Sequence, residues 1–217
     1  MKHPIEILEH YWKFSEFKPQ QEAIIEAVLA NEDCIVLLPT GGGKSICFQI
    51  PALLKEGICI VVSPLIALMQ DQVNNLKEKG IKAMALTSGL NYDDIDRMLD
   101  NCIYGNYKFL YLSPERLQQD LVQERIKLMN VNLIAVDEAH CISQWGHDFR
   151  PAYRDIKLLR TLHPNVNIIG LTASATSKVI EDVITQLDCI ALQVFKTSFH
   201  RPNLAYLTLD CEDKYFK

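Results

Sequence analysis

Short apolar runs alternate along the chain with longer stretches in which hydrophobic residues recur every three or four positions. The short runs, at 34–38, 58–63, 83–86, 109–112, 133–137, 168–171 and 190–195, are rich in Val, Ile and Leu and barely alternate. That pattern predicts parallel strands buried on both faces. Between them, 20–29 puts Ile24, Ala27 and Val28 on one helical face, and 65–79 repeats Leu65, Leu68, Met69, Val73 and Leu76. Helices are also expected after residue 45 and over 93–104, 114–129, 152–162 and 177–187. Gly80 is a good stop for the helix before it. Strands alternating with helices imply right-handed βαβ units, hence an α/β fold: a mostly parallel sheet with helices on both faces. No repeat or low-complexity tract interrupts the pattern. Residues 196–217 read as irregular and then strand-like (LAYLTL), a linker or a last strand in need of a partner.

The length of 217 residues suits one large domain and buries a core without staples. With 48% hydrophobic and 23% charged residues the composition excludes disorder, collagen and a disulfide scaffold. No apolar run approaches the roughly 18 residues of a membrane span, and no membrane partner is expected. The opening MKHPIEILEH is mixed and charged, so no secretory leader is expected. The 22 basic and 27 acidic residues leave a net charge of −5. Bulk attraction to nucleic acid is therefore absent, and any contact must come from a local groove. Seven cysteines form no CxxC pair, and several sit inside apolar runs. Buried free thiols in a reducing cytosol are expected, and no zinc site. The expected location is the cytosol or nucleoid of a bacterium, or the nucleus of a eukaryote.

The run 34–38 leads into Pro39-Thr40-Gly41-Gly42-Gly43-Lys44-Ser45, followed by a helical pattern. Glycines let the backbone turn tightly and aim its N–H groups inward, and the next helix brings its positive end to the same point. Lys44 then reaches β- and γ-phosphates, and the Ser45 hydroxyl holds Mg²⁺. The strict motif wants glycine at position 38, where this chain has Leu38. A second buried run ends in Asp137-Glu138-Ala139-His140. Ligands of open parallel sheets bind beyond the carboxyl ends of the strands, so Asp137 falls near the phosphate loop if the two strands are neighbours. Asp137 suits Mg²⁺, and Glu138 is placed to orient or deprotonate an attacking water. His140 is read as the coupling to the segment that follows.

At these residues the chain resembles the superfamily 2 helicases, and closely the RecQ family of DNA helicases, in their first RecA-like motor domain. Phe17-Lys18-Pro19-Gln20-Gln21 resembles the family's motif 0, and 39–45 its motif I. Val62-Ser63-Pro64-Leu65-Ile66 through Asp71-Gln72 resembles motif Ia, and Tyr111-Leu112-Ser113-Pro114-Glu115-Arg116 motif Ib. Residues 137–140 match motif II, Leu171-Thr172-Ala173-Ser174-Ala175-Thr176 motif III, and Phe199-His200-Arg201-Pro202-Asn203-Leu204 the segment closing the domain. The most specific element is Cys141-Ile142-Ser143-Gln144-Trp145-Gly146-His147-Asp148-Phe149-Arg150-Pro151, directly after the acids. Lys18 and Gln20 stand where the family often has Arg and Gly, His200 where it has Asp, and Ser174 where Thr is common.

The resemblance implies ATP and Mg²⁺ as cofactors, and single-stranded DNA and duplex junctions as partners. It also implies 3′ to 5′ translocation, unwinding in repair and recombination, and a second RecA-like domain bearing an arginine finger. It divides the chain into a helical base-reading segment (1–30), an ATP-binding domain (31–198) and a lead into the second motor domain (199–217). Without that second domain, weak ATP binding and slow turnover are expected. Gln21 is implied as the adenine reader, with Lys18 beside it and Phe14 as the stacking ring. Trp145, Phe149 and Tyr153, interleaved with His147, Arg150 and Arg154, suit stacking on unpaired bases and holding phosphates. Ser63, Pro64 and the helix start after them are read as a DNA-phosphate site, and Ser113 with Pro114 repeats the design. Thr172, Ser174 and Thr176 offer hydroxyls to relay between the ATP and DNA sites. An RNA helicase of the DEAD/DEAH type and a non-catalytic nucleotide- or DNA-binding module remain the alternatives.

Overall fold

The computed structural model describes residues 3–190 and 192–197. The motif at 199–204 and the strand-like LAYLTL lie outside the described residues. Seven strands form one parallel sheet in the order β3-β4-β2-β5-β6-β1-β7. They are β1 (Cys34–Leu37), β2 (Ile58–Val62), β3 (Ala83–Leu86), β4 (Phe109–Leu112), β5 (Val131–Val136), β6 (Ile168–Thr172) and β7 (Gln193–Lys196). The helices are α1 (Pro4–Trp12), α2 (Gln21–Leu29), α3 (Lys44–Leu54), α4 (Ile66–Glu78), α5 (Tyr92–Tyr104), α6 (Asp120–Lys127), α7 (Lys157–Leu162) and α8 (Ser177–Leu187).

The two-residue period of a strand sends alternate side chains to opposite faces. Ile35, Leu37, Ile60, Val62, Ile134 and Val136 build the core on one face, with α5, α6 and α8 against it. Cys34, Val36, Cys59, Val61, Leu133 and Ala135 build the core on the other, under α2, α3 and α4. Both faces are covered, so the strands read as unbroken apolar runs. A smaller cluster of Ile7, Leu8, Ile25, Ile46 and Ile50 fastens α1 to α2 and α3. No helix among the described residues is long and apolar enough to cross a membrane.

The structure corrects the expected elements where local chemistry interrupts the apolar period. The helix expected over 114–129 is a 3₁₀ turn, Pro114–Gln118, an extended Gln119 (φ −84°, ψ 122°), and then α6. Gln123 Nε2 donates to the freed Leu117 carbonyl at 2.6 Å, so the break is satisfied locally. Residues 152–162 likewise split into a 3₁₀ stretch, Pro151–Ile156, and α7. Helix α4 begins only after an extended Leu65, which leaves Ser63 and Pro64 outside it. The strand expected at 190–195 lies at Gln193–Lys196, paired with β1. The strands leading to the phosphate loop and to Asp137 are not neighbours, because β6 runs between them. Its end, Thr172, thereby stands between the loop and the acids, and its carbonyl accepts the Leu38 N–H at 3.2 Å.

At the opposite end of the sheet, buried Asp33 closes the fold. Its carboxylate accepts the Ile168 N–H at 2.7 Å, the Ile190 N–H at 2.5 Å and the Arg160 guanidinium at 2.6 Å. Asp33→Ala leaves the buried Arg160 charge without its carboxylate and the Ile168 and Ile190 amides without a partner. The expected cost is about 3–5 kcal/mol, or a loss on the order of 10 °C in Tm. Thermal unfolding measures it, and an unchanged Tm contradicts the assignment.

Candidate functional site

Beyond β1 the chain turns at the glycines and enters α3 directly. Gly43 is the residue before the helix, with φ 77° and no side-chain cap. It also passes so close to α2 that a Cβ there would lie 2.4 Å from Gln21 Nε2. Only glycine meets both demands. Lys18 Nζ donates to the Gly41 carbonyl at 2.8 Å, and Gln21 Nε2 to the Gly43 carbonyl at 3.0 Å. Gln21 Oε1 accepts the Lys18 N–H at 2.9 Å. The loop carbonyls are thus turned toward α2. Among the described residues the N–H groups of Gly43, Lys44 and Ser45 have no hydrogen-bond partner. Three consecutive free amides at a helix start form an anion seat. Lys44 Nζ bridges the loop to the Leu38 carbonyl at 3.4 Å.

Beyond β5, Asp137 continues the ladder through its N–H to Val62 O at 2.8 Å. Burial, reinforced by the negative charge of Glu138 and opposed by Lys44, pushes the Asp137 carboxyl above the usual carboxylate range. Glu138 holds a left-handed backbone (φ 47°), strain of a kind that clusters at functional sites. The His140 hydrogen bond, aided by the charges of His140 and Lys44, holds the Glu138 carboxyl below its ordinary value. The two adjacent acids are thus driven in opposite directions, Asp137 by burial and Glu138 by His140. The positive charge of Lys44 opposes the rise at Asp137 and adds to the fall at Glu138.

His140 is the hub behind them. Its Nδ1 lies 2.8 Å from Thr172 Oγ1 and 3.3 Å from Glu138 Oε2. Thr172 Oγ1 continues the chain, donating to the Ser174 carbonyl at 3.2 Å while the Ser174 N–H points back at 3.3 Å. The His147 ring stacks on His140 with centroids 4.9 Å apart. Gly146 permits that return, since a Cβ there would meet the His140 carbonyl at 2.8 Å. A cavity of about 470 Å³ opens between this turn and the start of α8, lined by His140, Trp145, His147, Ser174 and Thr176.

The expected site residues therefore fall into distinct groups. Lys44, Asp137, Glu138, His140, Thr172 and Ser174 lie together at the carboxyl edge of the sheet, while Ser45, next to Lys44 at the start of α3, lines a cavity with Gln49 and Gln72. Trp145 is 63% exposed, with Lys178 Nζ 3.1 Å from its ring centroid. His147 is exposed, and Phe149 carries the Arg154 guanidinium at 5.3 Å. Arg150 is committed to the Pro64 carbonyl at 3.2 Å, which ties the aromatic loop to the segment before α4. Phe14 is 57% exposed rather than core, and Thr40 is exposed. Gln21, by contrast, is buried with its amide spent on the loop.

Four assignments change. Ser63 is buried and its N–H is spent on the Leu112 carbonyl at 3.1 Å, so it does not meet a DNA phosphate; its hydroxyl lies beside Asp137 and favours the ionised carboxylate. Ser113 precedes a 3₁₀ turn of five residues, too short to aim a helix dipole. Thr176 caps α8, its Oγ1 accepting the Val179 N–H at 3.3 Å. Tyr153 is fully buried, and its hydroxyl donates to the Asp137 carbonyl at 3.0 Å. No local pattern marks Ser63 or Tyr153 as supports of the acids, because sheet order and a 3₁₀ turn bring them there. A cavity of about 650 Å³ lies at the other end of the sheet, between Tyr11, Leu29, Leu54, Lys55, Lys82 and Lys108. Its lysines donate to backbone carbonyls, and among the described residues that line it there is no acidic side chain.

The DEAD/DEAH box helicase family matches residues 18–183. The probable ATP-dependent DNA helicase RecS of Bacillus subtilis (strain 168) is 44% identical over 199 residues, 91% of this chain and 40% of that protein. The ATP-dependent DNA helicase RecQ of the same organism is 44% identical over 210 residues, 96% of this chain and 36% of that protein. The chain thus spans less than half the length of these curated relatives. Among solved structures, the Hef helicase domain of Pyrococcus furiosus superposes with a TM-score of 0.62 at 25% identity, over 81% of this chain and 37% of that one. The DEAD-box helicase Mss116 bound to ssRNA and UDP-BeF gives 0.72 at 17% identity, over 90% of this chain and 43% of that one, a likeness of fold.

Proposed function

Because the chain belongs to the DEAD/DEAH box helicase family, in its RecQ-type form, we propose that it is the ATP-binding half of a DNA helicase motor. The arrangement that carries this reading is the meeting of three free loop amides, Lys44 and the chain Glu138–His140–Thr172–Ser174 at one sheet edge.

The donor set fits magnesium. Ser45 and Asp137 supply the hard oxygens that ion prefers, and the Ser63 hydroxyl beside Asp137 favours its ionised form. Bound magnesium neutralises charge developing on the transferred phosphoryl group. The protein's own residues do the rest. The Gly43, Lys44 and Ser45 amides and the Lys44 ammonium hold the terminal phosphates. Glu138 orients a water and takes its proton as the oxygen–phosphorus bond forms; the bond to the β-phosphate oxygen breaks and that oxygen keeps the electron pair. His140 is a positioning residue: a proton on Nδ1 faces either Glu138 or Thr172, so movement of the Thr172–Ser174 segment changes what Glu138 receives. Gln21 and Lys18 brace the loop, and Gln21 reads adenine only by exchanging those partners. The loop through Trp145, His147 and Phe149 offers rings to unpaired bases, Trp145 on the face that Lys178 leaves open.

ATP hydrolysis by the chain joined to its second motor domain, with single-stranded DNA or RNA added, tests the reading. Stimulation by DNA well above RNA is expected, and equal stimulation favours an RNA helicase. Trp145→Ala is expected to weaken single-stranded DNA binding by about 1–3 kcal/mol. Its salt dependence should stay unchanged, because no charge is removed. Titration by fluorescence anisotropy at several salt concentrations measures both, and unaltered affinity removes Trp145 from the DNA site.

A further inference from the structure

His140 Nε2, Cys141 Sγ and an Asp148 carboxylate oxygen form a three-ligand cluster on the far side of the His140 ring from Glu138. The thiol sulfur lies 3.7 Å from His140 Nε2 and 3.8 Å from Asp148 Oδ2, and all three ligand atoms lie within 4.8 Å of one another. Cysteine spacing does not reveal this group, because its other members are a histidine and an aspartate.

We propose that these three side chains bind a zinc-class divalent cation, with the fourth position open to water. Metal–ligand bonds of about 2.0–2.3 Å in a tetrahedron set ligand atoms about 3.3–3.5 Å apart, close to the two sulfur distances, and rotation of the exposed Asp148 side chain brings its oxygen toward the imidazole. A nitrogen, a thiolate and a carboxylate select zinc over magnesium, which prefers oxygens alone. The outer arrangement also matches: a metal-binding imidazole usually gives its other nitrogen to a carboxylate or hydroxyl, and His140 Nδ1 faces Glu138 and Thr172. A thiolate and a carboxylate balance the charge of a divalent ion. Cys141 is buried, while Asp148 is exposed and gives the ion its entry. The Arg150 guanidinium, 3.7 Å from Asp148 Oδ2, is the competing partner that the ion displaces. Binding replaces the Cys141 S–H bond with a sulfur–metal bond and releases that proton to solvent. The occupied site fixes the His140 proton on Nδ1, toward Glu138 and Thr172, and staples the loop at residue 148 to the turn at 140. The test reads the bound metal directly and needs no nucleotide.

The test is titration of the 217-residue chain with Co²⁺ alone, followed by displacement with Zn²⁺. One equivalent is expected to give thiolate-to-metal charge transfer and tetrahedral absorption bands that Zn²⁺ abolishes. Cys141→Ser should lose the charge-transfer band, and Cys189→Ser should keep it. Asp148→Asn alters an exposed side chain and keeps the test decisive if Cys141→Ser fails to fold. It should weaken metal binding by at least about tenfold. Absence of the band in the unaltered chain overturns the proposal. So does a band that survives Cys141→Ser, or an affinity unchanged in Asp148→Asn.

Discussion

Glu138→Gln is expected to lower ATP hydrolysis by about 10²–10⁴-fold while nucleotide binding stays nearly unchanged. The glutamine has the same shape, so the strained turn at φ 47° and the contact with His140 can persist. It cannot take a proton from water, and the chemical step loses its base. Binding is spared for an electrostatic reason. Glu138 is one of the charges that push the Asp137 carboxyl upward. Removing that charge favours the ionised Asp137 that a magnesium–nucleotide complex needs. Single-turnover hydrolysis beside equilibrium binding of a fluorescent nucleotide separates the two effects. Unaltered hydrolysis would mean that Glu138 is not the base and would favour the inert module.

Lys44→Ala should damage both steps. A charged hydrogen bond contributes about 1.5–3 kcal/mol, so nucleotide binding should weaken on the order of ten- to a hundredfold. Turnover should fall further, by about 10²–10³-fold, because charge develops on the phosphoryl oxygens only in the transition state. The Lys44 ammonium also lowers both carboxyls. Without it Asp137 loses the nearby positive charge that favours its ionised form, while Glu138 keeps His140. Loss of turnover with unaltered nucleotide affinity would place Lys44 away from the ground-state phosphates.

Much of this site is legible along the chain because its parts are short and local. The GGGKS turn requires glycine where φ is positive and ends on a helix, and the two acids end a buried strand. Both features are properties of consecutive residues. The supports are not. Ser63 reaches Asp137 because β2 lies beside β5, and Thr172 reaches His140 because β6 lies between β5 and β1. Strand order is a tertiary fact, and an apolar run carries no mark of its neighbour. The same limit explains why Ser63 reads as a phosphate contact in sequence but is buried in the fold. The 3₁₀ interruptions escape for another reason: apolar spacing continues through Gln119 although its backbone leaves the helix. Gln20 shows how substitution can hide geometry. It adopts φ 68°, where the resembled family often has glycine, and its side chain donates to the Lys196 carbonyl at 3.0 Å. Strain of this kind costs about 1–2 kcal/mol in an L-residue, and the hydrogen bond offsets part of it.

A crystal of the chain grown with magnesium and a non-hydrolysable ATP analogue tests the central assignment most directly. The terminal phosphates should lie on the Gly43, Lys44 and Ser45 amides and the Lys44 ammonium, with Ser45 and Asp137 toward the metal and Glu138 facing the γ-phosphate. Phosphates found instead among Lys55, Lys82 and Lys108, at the opposite end of the sheet, would contradict it.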